Sequence, residues 1–232
     1  MRNDFVLSVC VPAFNEEANI NKSVQDLIHC LSKSLEKFEI IIVDDGSRDS
    51  TSKIANDLAK KHNEIKIIVH MKNSGIGSCY RDALSIAQGD YFTWFPADCE
   101  DPVEALSSCL PYLDKDTILT TYHPDVGSRS QFRRSLSRVY TLILNGYFKL
   151  GLKYYNGLNI VPTQVVRGLN LLSDGFFCNA EIVIRGAQNG KRILEIATPL
   201  GRRSSGRSKA LSCGSLLRAA RDLMKILSQR SR

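Results

Sequence analysis

The stretch Tyr91-Phe92-Thr93-Trp94-Phe95-Pro96-Ala97-Asp98-Cys99-Glu100-Asp101-Pro102 decides how the chain is read, because an apolar run breaks off there into three acids within four residues. Tyr91 to Phe95 reads as a buried strand. Pro96 has no N–H to donate to a ladder, so the sheet ends there and presents the acids at its rim. In an open α/β sheet ligands bind at that rim. Carboxylates grouped at a strand end suit a hard cation such as magnesium, held by one or two carboxylates together with substrate phosphates. A plainer reading has equal claim at this point: Asp101-Pro102 caps the next helix, and Asp98 and Glu100 are solvated loop charges.

Upstream, the same strand-then-helix unit recurs. Val6 to Val11 is an apolar strand ended by Pro12. Asn15-Glu16-Glu17 then reads as a helix cap with two acids in the first turn, where the helix dipole favours them, ahead of a helical spacing of Ile20, Val24, Leu27, Ile28, Leu31 and Leu35. Glu39 to Val43 is a β-branched strand that runs into Asp44-Asp45-Gly46-Ser47, and Asp49-Ser50-Thr51 opens a second helix. Ile65 to Val69 is a third strand, followed by Asn73-Ser74-Gly75-Ile76-Gly77 and a third helix. Such alternation predicts right-handed crossovers and a largely parallel sheet with helices on both faces. Polar residues after the strands, at Asn15-Glu16, Asp44-Asp45, Asn73 and Asp98, then converge on one edge. The Gly75-Ile76-Gly77 turn either brings backbone N–H groups to a phosphate or allows close packing of the helix. Its full G-x-G-x-x-G form is absent, which disfavours a nicotinamide-binding fold.

The chain has 232 residues, 43% of them hydrophobic, enough for a sizeable core. The seven cysteines are odd in number, scattered, and without a Cys-x-x-Cys pair, which argues against a disulfide framework or a zinc site and predicts a reducing, cytoplasmic setting. No signal peptide is read, and no apolar run approaches the ~20 residues a membrane span needs. The net charge is +7. Nine Lys/Arg against Asp222 give residues 201–232 a charge of +8, so residues 1–200 sum to −1. That balance suits either nucleic acid or an anionic substrate at a membrane surface.

VPAFNEE, IIIVDDGSRDST and NSGIGSCYRDALSIAQGDYFTWFPADCEDP resemble, in order and spacing, the nucleotide-sugar-binding half of inverting family 2 glycosyltransferases with the GT-A fold. The resemblance covers about half the chain. It implies a nucleoside diphosphate sugar as donor, bound by Pro12, Ala13, Asn15, Glu16, Asp44, Asp45, Lys72 and Gly75. Asp98 is implied as the last acid of the family's Asp-x-Asp motif, which ligates Mg2+ or Mn2+ at the diphosphate, with Glu100 as a further ligand. Pro96 replaces the motif's first acid, so three outcomes stand: Asp98 with Glu100 and waters still binds the metal, the transfer runs without a tight metal site, or catalysis has been lost.

In the second half, Thr117 to Tyr122 reads as a strand. Leu136, Tyr140, Ile143, Leu144, Tyr147 and Phe148 follow as the core-facing stripe of a helix with a basic first turn. Val126-Gly127-Ser128-Arg129, Arg133 and Ser137 resemble the GSR…R…S stretch of polyprenyl-phosphate glycosyltransferases, the dolichyl-phosphate mannose synthase-like branch. That implies a lipid phosphate acceptor held by Arg129, Arg133 and Ser137. Phe176 to Arg185 looks helical and Lys191 to Ile196 looks like a strand. The Arg203 to Lys209 loop resembles the branch's Arg-x-x-Gly-x-Ser-Lys closing loop, implying that Arg203 acts on the donor diphosphate and Lys209 on the acceptor phosphate. Tyr155 to Ile160 departs from the branch.

The expected organisation is a single GT-A domain over 1–210, with a nucleotide-sugar half at 1–102 and an acceptor half at 103–210. A basic amphipathic helix at 211–232 would either touch an anionic membrane as a peripheral contact or pack back onto the domain, and no nucleic acid is expected. A hydroxyl acceptor would need a base, for which Asp174 is the candidate by order along the chain, with a helix cap as its other role. A glycan acceptor, and a nucleotide-sugar binder without transfer, are the competing functions.

Overall fold

The computed structural model describes residues 3–98, 102–124, 131–175 and 177–199, with 221 and 224 beyond them. In chain order the elements are β1 (Asn3–Ala13), α1 (Ile20–Ser34), β2 (Leu35–Asp44), α2 (Thr51–Lys61), β3 (Ile65–Val69), α3 (Ile76–Ile86), β4 (Tyr91–Trp94) and α4 (Val103–Ser107). A 3-10 turn (Leu110–Tyr112) leads on to β5 (Thr117–Tyr122), α5 (Gln131–Phe148), β6 (Asn159–Pro162), α6 (Thr163–Arg167), α7 (Cys178–Gln188) and β7 (Arg192–Ala197).

The seven strands form one sheet in the order β3-β2-β1-β4-β6-β5-β7. β6 is antiparallel to both its neighbours, β4 and β5, while the other pairings are parallel. The other six strands therefore point one way and share a carboxyl edge. Alternation along each strand divides the core between the two faces. Val9, Val11, Ile40 and Ile42 pack beneath Val24, Leu27 and Leu31 of α1. Cys10, Ile41, Val43 and Phe92 pack beneath Tyr80 and Ala83 of α3 and Ile182 of α7.

Pro12 does not end β1, which continues to Ala13 in register with Asp44. The Cys10 carbonyl accepts from the Phe95 amide, and the Ala13 carbonyl from the Asp45 amide. Residues 10 and 12 thus face β4 and residues 11 and 13 face β2. β4 has already run out beside Pro12, so the missing N–H forfeits no bond. Two further expectations change. α1 begins at Ile20 with Asn19 at its N-cap and no acid in its first turn, because Asn15 adopts a left-handed φ of 53° and its segment is used elsewhere. Among the described side chains of α5 only Leu144 is fully buried, with Tyr140 and Phe148 packed beside it, while Ile143 and Tyr147 are exposed. The expected domain boundary at 210 lies outside the described residues, among which no helix is long and apolar enough to cross a membrane.

At the amino edge of the sheet a buried acid joins four segments. Glu39 accepts from Ser8 Oγ at 2.5 Å, from Lys66 Nζ at 2.7 Å and from the Gln88 amide, and Ser8 Oγ accepts in turn from the Gly89 amide. Burial alone would raise its pKa, but the hydrogen bonds from Lys66, Ser8 and Gln88 outweigh that and hold the carboxyl below its ordinary value. A carboxyl depressed on folding contributes stability that is complete above the unfolded pKa and is lost as pH falls through the folded one. Glu39→Gln is therefore expected to narrow the stability difference between pH 7 and about pH 4, the ordinary glutamate range. Urea titrations of both proteins across that range check it, and equal slopes would remove Glu39 from the acid response.

Candidate active site

The loops after β1 and β2 are sewn together by the residues expected to cap a helix. The Asn15 amide donates to Ser47 Oγ and Asn15 Oδ1 accepts from the Arg48 amide, both at 2.9 Å. The Glu16 amide donates to Thr51 Oγ1 at 2.8 Å, and Glu17 accepts from the Ser50 amide at 2.9 Å. Asparagine tolerates a left-handed backbone better than other non-glycine residues because its short polar side chain bonds locally. Asn15 and Glu16 thus position the site's loops.

At the end of β2 the two adjacent acids part ways. Asp44 is buried, and its Oδ1 accepts the Ser47 amide at 3.0 Å. Asp45 Oδ1 accepts the Ser74 amide at 2.8 Å, and its Oδ2 accepts the Gly75 amide at 2.9 Å. His70 Nδ1 lies 2.8 Å from Asp45 Oδ1, while its Nε2 lies 3.0 Å from Asp82 Oδ2 without hydrogen-bond geometry.

The Gly75-Ile76-Gly77 turn is filled by protein. A Cβ on Gly75 would meet the Asp174 carbonyl oxygen at 2.3 Å, and one on Gly77 the Ser173 carbonyl oxygen at 2.0 Å; the Gly77 amide donates to the Asp174 carbonyl. Close packing is therefore what these glycines serve. Of the expected nucleotide ligands, Asp45 and Gly75 are thus bonded to each other, Asp45 Oδ2 accepting the Gly75 amide.

A cavity of about 310 Å³ opens at the carboxyl edge, within the size range of small-molecule sites. Phe14 after β1, Asp44 at the end of β2 and Arg48 after it, and His70 and Lys72 after β3 line it. Of the expected donor ligands, Asp44 and Lys72 are on its wall, whereas Pro12, Ala13, Asn15 and Glu16 lie at the same edge but off the lining. Gly46 makes this junction possible: its φ is +75°, and a Cβ there would sit 2.7 Å from the Lys72 carbonyl carbon. Phe14, Arg48 and His70 were not singled out by the sequence reading. His70 directly follows β3, so the rule that selected the other strand-end residues applied to it as well.

β4 delivers Asp98 to the same edge. After Phe95 the chain leaves the ladder, and Ser23 Oγ of α1 donates to the Pro96 carbonyl at 3.1 Å, fixing the loop. Asp98 is half-buried in the turn that follows. A hard oxygen donor of this kind fits magnesium or manganese, which fill their remaining positions with water and phosphate. Asp45, His70 and Cys79 also bring potential ligand atoms within 4.8 Å of one another. They fit a cation poorly: burial pushes the Cys79 thiol well up, with nearby Asp45 adding to it, and both Asp45 oxygens already accept backbone amides.

Glu100, Arg129, Arg203 and Lys209, and the side chain of Arg133, lie outside what the structure describes. Ser137 is half-buried on α5, one helical turn beyond residue 133. Asp174 does not cap α7, whose N-cap is Phe177; its carboxylate pairs with Arg81 of α3. The sequence reading also passed over Glu181, a fully buried carboxylate on α7 that holds the 172–174 loop.

The profile of the glycosyl transferase family 2 matches residues 8–171, well over half of the chain. The chain belongs to that family. Among curated relatives, human dolichyl-phosphate beta-glucosyltransferase is 30% identical over 156 residues, 61% of this family 2 chain and 47% of the relative. Dolichol-phosphate mannosyltransferase of Pyrococcus furiosus is 26% identical over 220 residues, 88% of this chain and 58% of the relative. The Saccharomyces cerevisiae dolichol-phosphate mannosyltransferase is 29% identical over 168 residues, covering 66% and 63%. The chain spans about half the length of the first two of these relatives and somewhat more of the third. Among solved structures, glucosyl-3-phosphoglycerate synthase from Mycobacterium tuberculosis, in complex with Mn2+, uridine-diphosphate and glucosyl-3-phosphoglycerate, superimposes with a TM-score of 0.70 at 19% identity, over 95% of this chain and 79% of that one. At that identity the likeness is one of fold, and it matches the family 2 chain to the GT-A arrangement.

Proposed function

We propose that this family 2 chain transfers a sugar, with inversion, from a nucleoside diphosphate sugar to a polyprenyl phosphate. The observation that carries the reading is the cavity walled by Asp44, Arg48 and Lys72 at the sheet edge where β4 brings Asp98. The nucleoside occupies that cavity, where Asp44 offers a carboxylate to ribose or base donors, and the diphosphate extends toward Asp98. Asp98, with Glu100, holds Mg2+ or Mn2+; when bound, the cation offsets the charge that grows on the departing diphosphate. Arg203 adds positive charge to that leaving group, and Arg129, Arg133, Ser137 and Lys209 receive the acceptor phosphate. The chain works as a peripheral protein at the cytoplasmic face of a membrane, with residues 211–232 as one basic contact.

In the step itself an acceptor phosphate oxygen forms a bond to the anomeric carbon from the side opposite the diphosphate, whose C–O bond breaks with the electron pair leaving on its oxygen. A phosphate monoester, with a second pKa near ~6 by analogy with phosphoserine, is already mostly dianionic at pH 7 and needs no base. A hydroxyl acceptor would need one. The pairing of Asp174 with Arg81 supports the first case. Asp174→Asn is expected to keep turnover near the wild-type rate, measured as radiolabelled sugar passed to polyprenyl phosphate. A loss on the order of 10²–10⁴-fold, what a general base contributes, would overturn the phosphate reading. Pro96 in place of an acid favours a second reading, donor binding without transfer, which predicts thermal stabilisation by nucleoside diphosphate sugars and no labelled product with any acceptor.

A further inference from the structure

One carboxylate closes both ends of the loop that carries Lys72 to the cavity. β3 ends at Val69 and α3 begins at Ile76, and between them Met71, Lys72 and Asn73 line the cavity. At the loop's far end the Ser74 and Gly75 amides donate to Asp45 at 2.8 and 2.9 Å. At its near end His70 Nδ1–H donates to the same Asp45 Oδ1 at 2.8 Å, and the His70 amide donates to the Asp44 carbonyl at 2.8 Å. On the other side of the ring, Nε2 faces Asp82 Oδ2 of α3 at 3.0 Å. The side chain is 12% exposed and its Nε2 is buried, so the ring is held by protein groups rather than by bulk water.

The charged and titratable groups around it are Asp45 from the end of β2, Asp82 and the Cys79 thiol from α3, and Asp44, Arg48 and Lys72 on the cavity wall. Burial pushes the Cys79 thiol well up, so it carries no charge near neutral pH. A neutral imidazole has one N–H and one lone pair. Bound to Asp45 through Nδ1–H, it would turn the Nε2 lone pair on a carboxylate oxygen 3.0 Å away, two acceptors with no proton between them. Only a ring with a proton on each nitrogen is attracted to both acids. Asp82 is half exposed and Asp45 almost wholly buried, so loss of the second proton lets Asp82 swing into water and frees the ring from α3.

We infer that His70, doubly protonated between Asp45 and Asp82, is a positioning residue for donor binding: it clasps the start of the 70–75 loop so that Lys72 stands ordered at the cavity before a ligand arrives. A side chain already ordered loses less freedom on binding than a mobile one. Histidine gives up its second proton between about pH 5 and 8, so donor affinity falls as pH rises through that range. The inference rests on the donor reading for its purpose, while the clasp is a property of the free protein.

Hydrogen exchange of the free full chain tests the clasp. Calorimetry with the nucleoside diphosphate glucoses of uracil, guanine, adenine, cytosine and thymine tests its purpose; their diphosphate is esterified at both ends and exchanges no proton in this range. In H70A the Ser74 and Gly75 amides are expected to exchange about tenfold faster relative to those of β1, and donor affinity to fall about tenfold at about pH 6. H70Q keeps one donor for Asp45 and cannot titrate, and is expected to lie between H70A and wild type with a flat pH profile. D82N is expected to bind as tightly as wild type and to lose the slope, because an asparagine amide donates to a bare Nε2 and its carbonyl accepts from a protonated one. Wild-type exchange at Ser74 and Gly75 in H70A overturns the clasp. Donor affinity unchanged in H70A at every pH, or a D82N slope equal to that of wild type, overturns the positioning role. Faster exchange in H70A with no glucose nucleotide bound by wild type at any pH sinks the donor reading alone.

Discussion

Asp98→Asn is expected to lower sugar transfer about a thousandfold, a loss of several kcal/mol of charge stabilisation, while leaving the thermal midpoint of the free protein within a degree or so, as for surface substitutions. The substitution keeps the shape of a side chain that is only half-buried, so the sheet edge and its Ser23–Pro96 anchor remain. It removes the negative charge from the turn where β4 leaves the sheet. On the proposed reading, with Pro96 in place of the first motif acid, Asp98 carries more of the cation's binding than it would beside that acid, with Glu100 as its partner. The variant is therefore expected to regain part of its rate as Mn2+ is raised, which wild type does not need. Initial rates across a metal titration decide this. A variant within tenfold of wild type at every metal concentration would leave Asp98 without a role in the transfer.

Glu181→Ala is expected to destabilise the fold by about 3–5 kcal/mol, the range for breaking a buried charged pair. The carboxylate is fully buried, and it accepts the Leu172 amide at 2.9 Å, the Ser173 amide at 2.8 Å and Arg185 Nε at 2.7 Å. Alanine leaves two backbone donors and a mostly buried guanidinium without that acceptor. The effect reaches the candidate site because the 172–174 loop is what fills the space over Gly75 and Gly77. Donor affinity should fall along with stability. Glu181→Gln retains one acceptor oxygen and is expected to lose about 1–3 kcal/mol, the cost of one unsatisfied buried group. Urea unfolding measures both, and a Glu181→Ala loss below about 1 kcal/mol would mean that the loop is held by its other contacts.

Much of the donor half was legible because its signals are local. The β-branched runs at 39–43 and 65–69 and the apolar run at 91–95 are strands for reasons of period and propensity, and their polar terminators mark the shared edge. β6 was not legible. It has four residues, begins with Asn159 and ends on Pro162, and it is a strand because β4 and β5 pair with it on both sides. Pro12 misled for the converse reason: proline reads as a stop, yet it is harmless where the neighbouring strand has already ended.

By itself the amino-acid order determined the alternation of strand and helix and the convergence of strand-end polar groups, because periods of 2 and 3.6 and the missing N–H of proline act over a few residues. Tertiary structure decided which of those groups line the cavity and which are bonded within the protein. Asp44 and Asp45 are neighbours of one kind in sequence, yet Asp44 walls the cavity while Asp45 is claimed by amides some 30 residues away. Ile143 and Leu144 are likewise adjacent and apolar, and only the packing against α7 turns one inward and leaves the other at the surface. Whether a polar group is free, or an apolar one covered, depends on contacts from distant parts of the chain, and those exist only once the sheet and its helices have assembled.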